Sequence, residues 1–470
     1  MALSQLVLLA LLPIFVSMTK QKSIDERFDE LFKRIDRLEK ENVFLRNHIT
    51  YLEARLAHYE NPKNSSNSNM PPSSDFPKQT KTNSLRKSSG KKPGGQLGHK
   101  GNTLKIVESP DIIEDHQTKY CSSCGNDISG LPSELIGKRQ VIDIPPIQSF
   151  VTEHRIYKHI CTCGYCNEAS FPEGVNTPVS YGSGVQSMVT YLNARHYLPV
   201  GRSAEFLNDI FKIPISTGGI CYLLNKAKRK AMPAYEAIRQ FVLNQRVIGG
   251  DETGVNINGK NNWAWTFQNP KATFIAIHEK RGAIAIKEIM PEGFDQNILV
   301  TDCWSAYFKV GAMLHQVCTA HLQRELIYFK QCYPENTWVK RLAALIENSL
   351  DLRRNDKLTL TKIEEIHRTF SFLIKEPATN KELKKLIAFQ KRMVKYEKYV
   401  FGFLEHPDVP PDNNGSERAI RNFKVKQKVS GFFKSFDGAT IYAVLRSIID
   451  TAIKNNQNPY LALQLLTQKN

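Results

Sequence analysis

The sequence predicts a multidomain α/β protein, and three observations carry that expectation. A heptad repeat opens the chain, five of nine cysteines fall between Cys121 and Cys166, and beyond residue 246 strand-like runs alternate with helical stretches. At 470 residues the chain is several times longer than one small module, since domains usually hold about 100 to 200 residues. Hydrophobic residues make up 41% and charged residues 23%, enough apolar material for real cores, which excludes wholesale disorder. The formal net charge of +18 favours a polyanionic partner.

Residues 1–18 form an apolar head whose first positive charge is Lys20. A signal peptide carries its charges before the apolar run, and a membrane span needs about 20 apolar residues, so neither pattern is met cleanly. Met18 is the expected natural start, with residues 1–17 an upstream extension; the alternative is a membrane-tethered factor. Residues 19–60 are expected to be a coiled coil. Phe28, Ile35, Asn42, Ile49 and Leu56 form one seam row, and Leu31, Leu38, Leu45, Leu52 and Tyr59 the other. Ile in the first row and Leu in the second favour a parallel dimer whose register a lone Asn fixes. The same stripe could instead pack on its own domain.

Residues 61–105 switch to Ser, Asn, Pro, Gly and Lys without apolar periodicity, the composition of a flexible linker. Between Phe76 and Val107 it carries eight Lys or Arg residues, Lys91 and Lys92 among them, and no acid after Asp75, so it can also neutralise phosphates. Residues 106–180 hold the cysteine cluster among strand-like runs such as QVIDIPPI and FVTEHRIYKH. Cys121-Ser-Ser-Cys124-Gly is a knuckle that chelates one ion, and CTCGYC adds Cys161, Cys163 and Cys166, one thiol more than a tetrahedral zinc site needs. Cys163 and Cys166 are the default second pair, with Cys161 able to replace one. Scattered cysteines elsewhere argue against a secreted disulfide framework and for a reducing, cytoplasmic compartment.

Residues 181–245 read as helical with a break at Pro199. Ser203–Phe211, the link KIPI and Ser216–Lys230 fit a helix-turn-helix or an ordinary helical hairpin, and Lys226, Lys228, Arg229 and Lys230 would make the far end of the second helix basic. From residue 246 come the strands RVIGGDETGVNI and KNNWAWTF around an Asn258-Gly259 hairpin, then ATFIAIH, the helix AIAIKEI and the strand NILVT. Residues 320–405 read as helical, followed by further helices.

Three carboxylates stand out. Asp251 and Asp302 end apolar strands, where an unpaired charge is costly unless a cation compensates it. Glu252 lies beside Asp251 but points to the opposite face. Glu417 opens a helix that carries Arg418, Arg421, Lys424, Lys426 and Lys428; as the third residue after Asn414 it could equally serve a capping box. Hard oxygen ligands select Mg²⁺ or Mn²⁺, and two such ions can drive in-line displacement at phosphorus.

The blocks GGDETGVNINGKNNWAWTF, ILVTDCWSAY, CTAHLQREL and VPPDNNGSERAIRNFKVKQKVSGFFKSFDGA, with the linker KKPGGQLGHKG, resemble the insertion-sequence-66 type of bacterial transposase. The likeness runs from about residue 20 to the end. It implies a ribonuclease-H-like catalytic domain over 246–470 with a helical insertion at about 322–405, preceded by the coiled coil and the small zinc-binding domain. It implies a DDE triad of Asp251, Asp302 and Glu417 holding two Mg²⁺ or Mn²⁺ ions, and a supporting role for Cys318 and His321, which could otherwise be core residues. The expected activity is cutting at element ends and joining of the freed 3′-hydroxyls to target DNA, by a dimer or higher oligomer, with accessory proteins of the element as possible partners. The rivals are a zinc-ribbon, coiled-coil DNA-binding protein derived from a transposase but catalytically silent, and a structure-specific nuclease on the same core.

Overall fold

The computed structural model describes residues 24–64, 67–68, 98, 104–145, 147–378 and 383–468. The apolar head and the linker lysines Lys91 and Lys92 lie outside them. Helix α1 (Ile24–Glu60) is followed by the small hairpin β1 (Lys158–Ile160) and β2 (Cys166–Glu168), and by helices α2 (Ser183–Thr190), α3 (Val200–Phe211) and α4 (Thr217–Leu243). Next come β3 (Val247–Ile257), β4 (Lys260–Gln268), β5 (Thr273–His278), α5 (Ala283–Ile289), β6 (Phe294–Thr301) and β7 (Ala312–Val317). The chain closes with α6 (Thr319–Cys332), α7 (Thr337–Arg354), α8 (Leu360–Lys375), α9 (Lys384–Lys395), α10 (Gly402–Glu405), α11 (Asn414–Ser430), α12 (Phe436–Lys454) and α13 (Pro459–Gln468).

The principal sheet runs β5-β4-β3-β6-β7. β4 is antiparallel to β3 and to β5, whereas β6 is parallel to β3 and to β7. The Asn258-Gly259 pair turns β3 into β4 with φ of 47° and 80°, the conformation that Asn and Gly tolerate best. Alternation divides the sheet. Ile248, Trp265, Phe267 and Leu299 face a core closed by α5 and Tyr307. On the other face Val255, Ile257, Ala264 and Ile275 pack with α4 and α12, and Ile298, Val300 and Val317 pack with the helices after β7.

α3 and α4 meet across a short link whose Lys212 adopts φ 57°, and the Ser216 hydroxyl caps α4 by accepting from the Gly219 N–H at 3.1 Å. α4 does not stop near Lys230. Its stripe Leu223, Leu224, Ala227, Ala231 continues to Val242 through Pro233, so the basic cluster sits mid-helix. Lys228 pairs with Asp437, and Lys230 donates to the Thr467 carbonyl at 2.7 Å.

Two other expectations change. QVIDIPPI forms no strand among the described residues: the Gln140 side chain bonds the Val107 backbone, but no strand pairs with the segment and Val141 stays 92% exposed. The first linker residues are not free either: the side-chain amide of buried Asn67 donates to Gln331 on α6 at 2.8 Å, and Lys63 lies over the Tyr328 ring. α1 touches the same helix through Ala54, Ala57 and His58, whose ring meets the hydroxyls of Tyr328 and Tyr333. Its heptad seam takes no part in that contact. Among the described residues no helix is long and apolar enough to cross a membrane.

Candidate active site

The parallel register of β3 and β6 sets Gly249 beside Val300. Two residues further along stand Asp251, midway along β3 and not at its end as the apolar run suggests, and Asp302, just past the end of β6, on the same pleat face because side chains alternate with period 2. β7 continues the series: Thr301 pairs with Val317, and the Cys318 N–H donates to the Thr301 carbonyl at 2.7 Å. Asp302 and Cys318 therefore sit side by side at the carboxyl ends of parallel strands, where loops leave room for a ligand.

α11 crosses this face. Its approach is close because β3 has glycine at 249: a Cβ there would lie 2.7 Å from Asn413 Oδ1 and from Ser416 Oγ. Asn413, the residue before the helix, donates from its side chain to the Gly250 carbonyl at 2.7 Å and from its backbone N–H to Cys318 Sγ at 3.2 Å. Those bonds tie the start of α11 to the strand ends and set Glu417 in its first turn above them. Glu417 makes no capping box; α11 begins at Asn414 with no side-chain cap.

Burial, followed by the charges of Glu252, Asp302 and Glu417, pushes the Asp251 carboxyl well above the ordinary carboxylate range, against one N–H bond from Glu252 at 3.0 Å. Burial and the Glu252 charge push Asp302 up to about 6, opposed by the Trp304 N–H, Arg281 and Arg392. A carboxylate pair lifted by burial and by neighbouring negative charge fits a hard divalent cation, whose charge would reverse both effects. The fit is strongest for Asp251 and Asp302. Asp251, Asp302 and Glu417 do not draw within 4.8 Å of one another among the described residues; Glu417 is instead grouped that closely with Cys318 and His321. Its Oε1 stands 3.6 Å from His321 Nε2 and 3.5 Å from Arg324 Nη1.

Several residues that sequence reasoning passed over build the surroundings. Glu252 points away from Asp251, where it accepts from the Tyr307 hydroxyl and from Arg281 at 2.7 Å. Arg281 is sandwiched between Trp263 and Trp304, 4.7 and 4.3 Å from their ring centres. Arg392, from α9, pairs with Glu325 at 2.6 Å and faces Asp302. Only the Asp-Glu dipeptide gave a signal for the first of these; Arg281 and Arg392 belong to no motif. Beside the site, Gly249, Val300, Asn413, Arg418, Arg446 and Lys454 line a cavity of about 660 Å³.

Of the basic residues on α11, Arg418, Arg421, Lys424 and Lys428 are exposed. Lys426 is not available to DNA. It is 6% exposed, and its ammonium donates to the carbonyls of Asn193, Tyr197 and Leu198 at 3.2–3.4 Å. Burial lowers its pKa to about 8. Helical spacing explains the difference: Lys426 lies on the stripe of Ala419 and Phe423, which faces the core.

In the cysteine region two turns have matching backbones. The Cys121 N–H donates to the Asn126 carbonyl, and the Cys161 N–H to the Tyr165 carbonyl, each at 2.8 Å, with Gly125 and Gly164 at positive φ. Backbone N–H groups of Cys124 and Ser123 hold the Cys121 thiol below its usual pKa, and that of Cys163 does the same for Cys161. Such thiols fit a zinc ion as thiolates. The second turn brackets Cys161 and Cys163, and Cys166 follows at the start of β2. The two turns do not bring three thiols within 4.8 Å of one another.

Comparison with known proteins adds a family. Residues 178–441, more than half of the chain, match the Transposase IS66 family. Residues 18–105 match a family of unknown function, DUF6444. No curated protein matches the chain.

Proposed function

We propose, from the premise that this chain belongs to the Transposase IS66 family, that it is a DDE-type enzyme that cuts DNA at the ends of an insertion element and joins the freed 3′-hydroxyls to a target. The observation that carries the reading is the placing of Asp251, midway along β3, and Asp302, just past the end of β6, on one face beneath the helix that bears Glu417, with the charges of Asp302 and Glu417 both felt at Asp251. The sheet order β5-β4-β3-β6-β7, with only β4 reversed, supports a ribonuclease-H-like core, and the helices between β7 and α11 support an insertion within it.

Asp251 and Asp302, joined by Glu417, would hold two Mg²⁺ or Mn²⁺ ions, which supply activation of a water or 3′-hydroxyl and stabilisation of the leaving oxygen. The remaining work belongs to the chain. Arg281, held by Glu252 and two indole rings, places a fixed guanidinium near Asp302, where it can meet a DNA phosphate. Arg418, Arg421, Lys424 and Lys428 extend one exposed edge from the site along which a phosphate backbone can run. Cys121, Cys124, Cys161 and Cys163 would hold a structural zinc in a segment that buries little apolar surface of its own. The uncovered seam of α1 supports a homodimer.

Asp302→Ala tests the assignment. It is expected to leave binding to a labelled element end intact while abolishing strand cleavage and joining in Mg²⁺; cleavage by this variant at the parental rate refutes the triad. The rival, a catalytically silent DNA-binding protein, draws on the turn of Glu417 towards His321 and Arg324. It predicts that the unaltered chain fails to nick the same fragment in Mn²⁺.

A further inference from the structure

We infer that Cys318, His321 and Glu417 form a second metal site, selective for Zn²⁺ and similar borderline ions, that competes with the Asp251–Asp302 pair for the Glu417 carboxylate. The metal site stands on its own geometry; the competition rests on the function proposed above.

Cys318 is the residue that precedes α6, and His321 lies one turn into that helix, so the pair shares one face. Glu417 meets them from the first turn of α11, and one ligand atom from each of the three lies within 4.8 Å of the others. His321 Nε2 and Glu417 Oε1 are 3.6 Å apart, close to the roughly 3.4 Å edge expected between nitrogen and oxygen ligands on a tetrahedral zinc. Glu417 Oε1 and His321 Nδ1 are both buried without a hydrogen-bond partner.

Cys318 is fully buried, and burial raises its thiol to about 12. The sulfur nevertheless accepts from the backbone N–H of Asn413 at 3.2 Å, an arrangement that stabilises a thiolate once a cation is present to displace the proton to solvent. Entry is open from the Glu417 side, whose side chain keeps 24% of its surface exposed. Arg324, 3.5 Å from Glu417, would have to swing out.

Donor chemistry separates the two sites. A thiolate and an imidazole favour Zn²⁺ over Mg²⁺, whereas the all-oxygen pair favours Mg²⁺ or Mn²⁺. Glu417 can serve one or the other. With zinc bound, its carboxylate is held towards α6 and away from Asp251 and Asp302.

The test is Co²⁺ binding to the full-length chain, stripped of metal and followed by equilibrium dialysis and by the near-ultraviolet sulfur-to-cobalt charge-transfer band. Three variants accompany it: Cys318→Ser, His321→Gln, and Cys121→Ser with Cys124→Ser. Circular dichroism confirms that each is folded. The unaltered chain is expected to bind one equivalent more than Cys318→Ser and than His321→Gln, and the knuckle double variant is expected to keep the Cys318-dependent part of the band. Equal stoichiometry and equal spectra in the unaltered chain and in both single variants overturn the site. In parallel, Zn²⁺ should raise the Mg²⁺ concentration needed for end cleavage by the unaltered chain. Extra cobalt without any cleavage activity leaves the metal site standing and removes the strand-transfer reading; cleavage without the extra cobalt does the reverse.

Discussion

Asp302, just past the end of β6, couples stability to pH in a definite direction. Burial raises the Asp302 carboxyl from 3.8 to about 6. A group whose pKa is higher in the folded state stabilises that state fully below its unfolded value, and the contribution is lost as the pH rises through the folded value. Between pH 4 and pH 6, therefore, the metal-free protein loses stability through this residue. Asp302→Asn removes the titration, so at pH 7 in a chelator the variant should be more stable than the parent by roughly 1–3 kcal/mol, and the two should converge at pH 4. Urea unfolding at the two pH values decides it; a variant that is less stable at pH 7 contradicts the buried-charge account. The converse case is Lys426, whose charge is spread over three carbonyls inside the protein and so is lost to any phosphate.

At the scale of elements, the critical contact is the meeting of β3 with α11. Two adjacent glycines face different neighbours: a Cβ on Gly249 would strike Asn413, Ser416 and Gln268 at 2.5–2.7 Å, whereas one on Gly250 would meet Thr301, Tyr307 and Phe267 at 3.4–3.6 Å. Gly249→Ala should push the start of α11 away, costing about 1–3 kcal/mol and most of the end-cleavage activity, while Gly250→Ala should cost clearly less in both. Denaturant midpoints and cleavage rates of the pair provide the check, and equal effects would show that the approach of α11 is not what positions Glu417. The strands here were readable from alternation and from the Asn258-Gly259 turn. The end of α4 was not, because a basic cluster and a proline both mimic a stop, while the packing of Leu223, Leu224, Ala227 and Ala231 against α12 carries the helix through.

Across the whole molecule, α1 keeps its apolar seam out of the contacts it makes with α6. Leu38, Leu45 and Ile49 are 53%, 51% and 54% exposed, whereas Ala54 is buried on the opposite side. A stripe of that length left uncovered is the surface a second helix would take. Leu38→Lys combined with Leu45→Lys should convert the chain from dimer to monomer in sedimentation equilibrium while leaving the far-ultraviolet spectrum of the remainder unchanged; a parental chain that is already monomeric at micromolar concentration would refute the coil. The net charge of +18 fits a DNA partner for such an assembly.

What the sequence determined by itself is what short-range order encodes: the heptads of α1, the hairpin at Asn258-Gly259, the strands, the cysteine turns, and Asp302 at the end of its strand. Periodicity and turn chemistry act over a few residues and can be read without the fold. Tertiary structure alone decided that Asp251 and Asp302 share a face, that Glu417 turns to Cys318 and His321, and that Lys426 is buried while Arg421 is not. Each depends on which strand lies beside which and on how closely one helix can approach a glycine, and those distances join residues 51 to 233 positions apart in the chain.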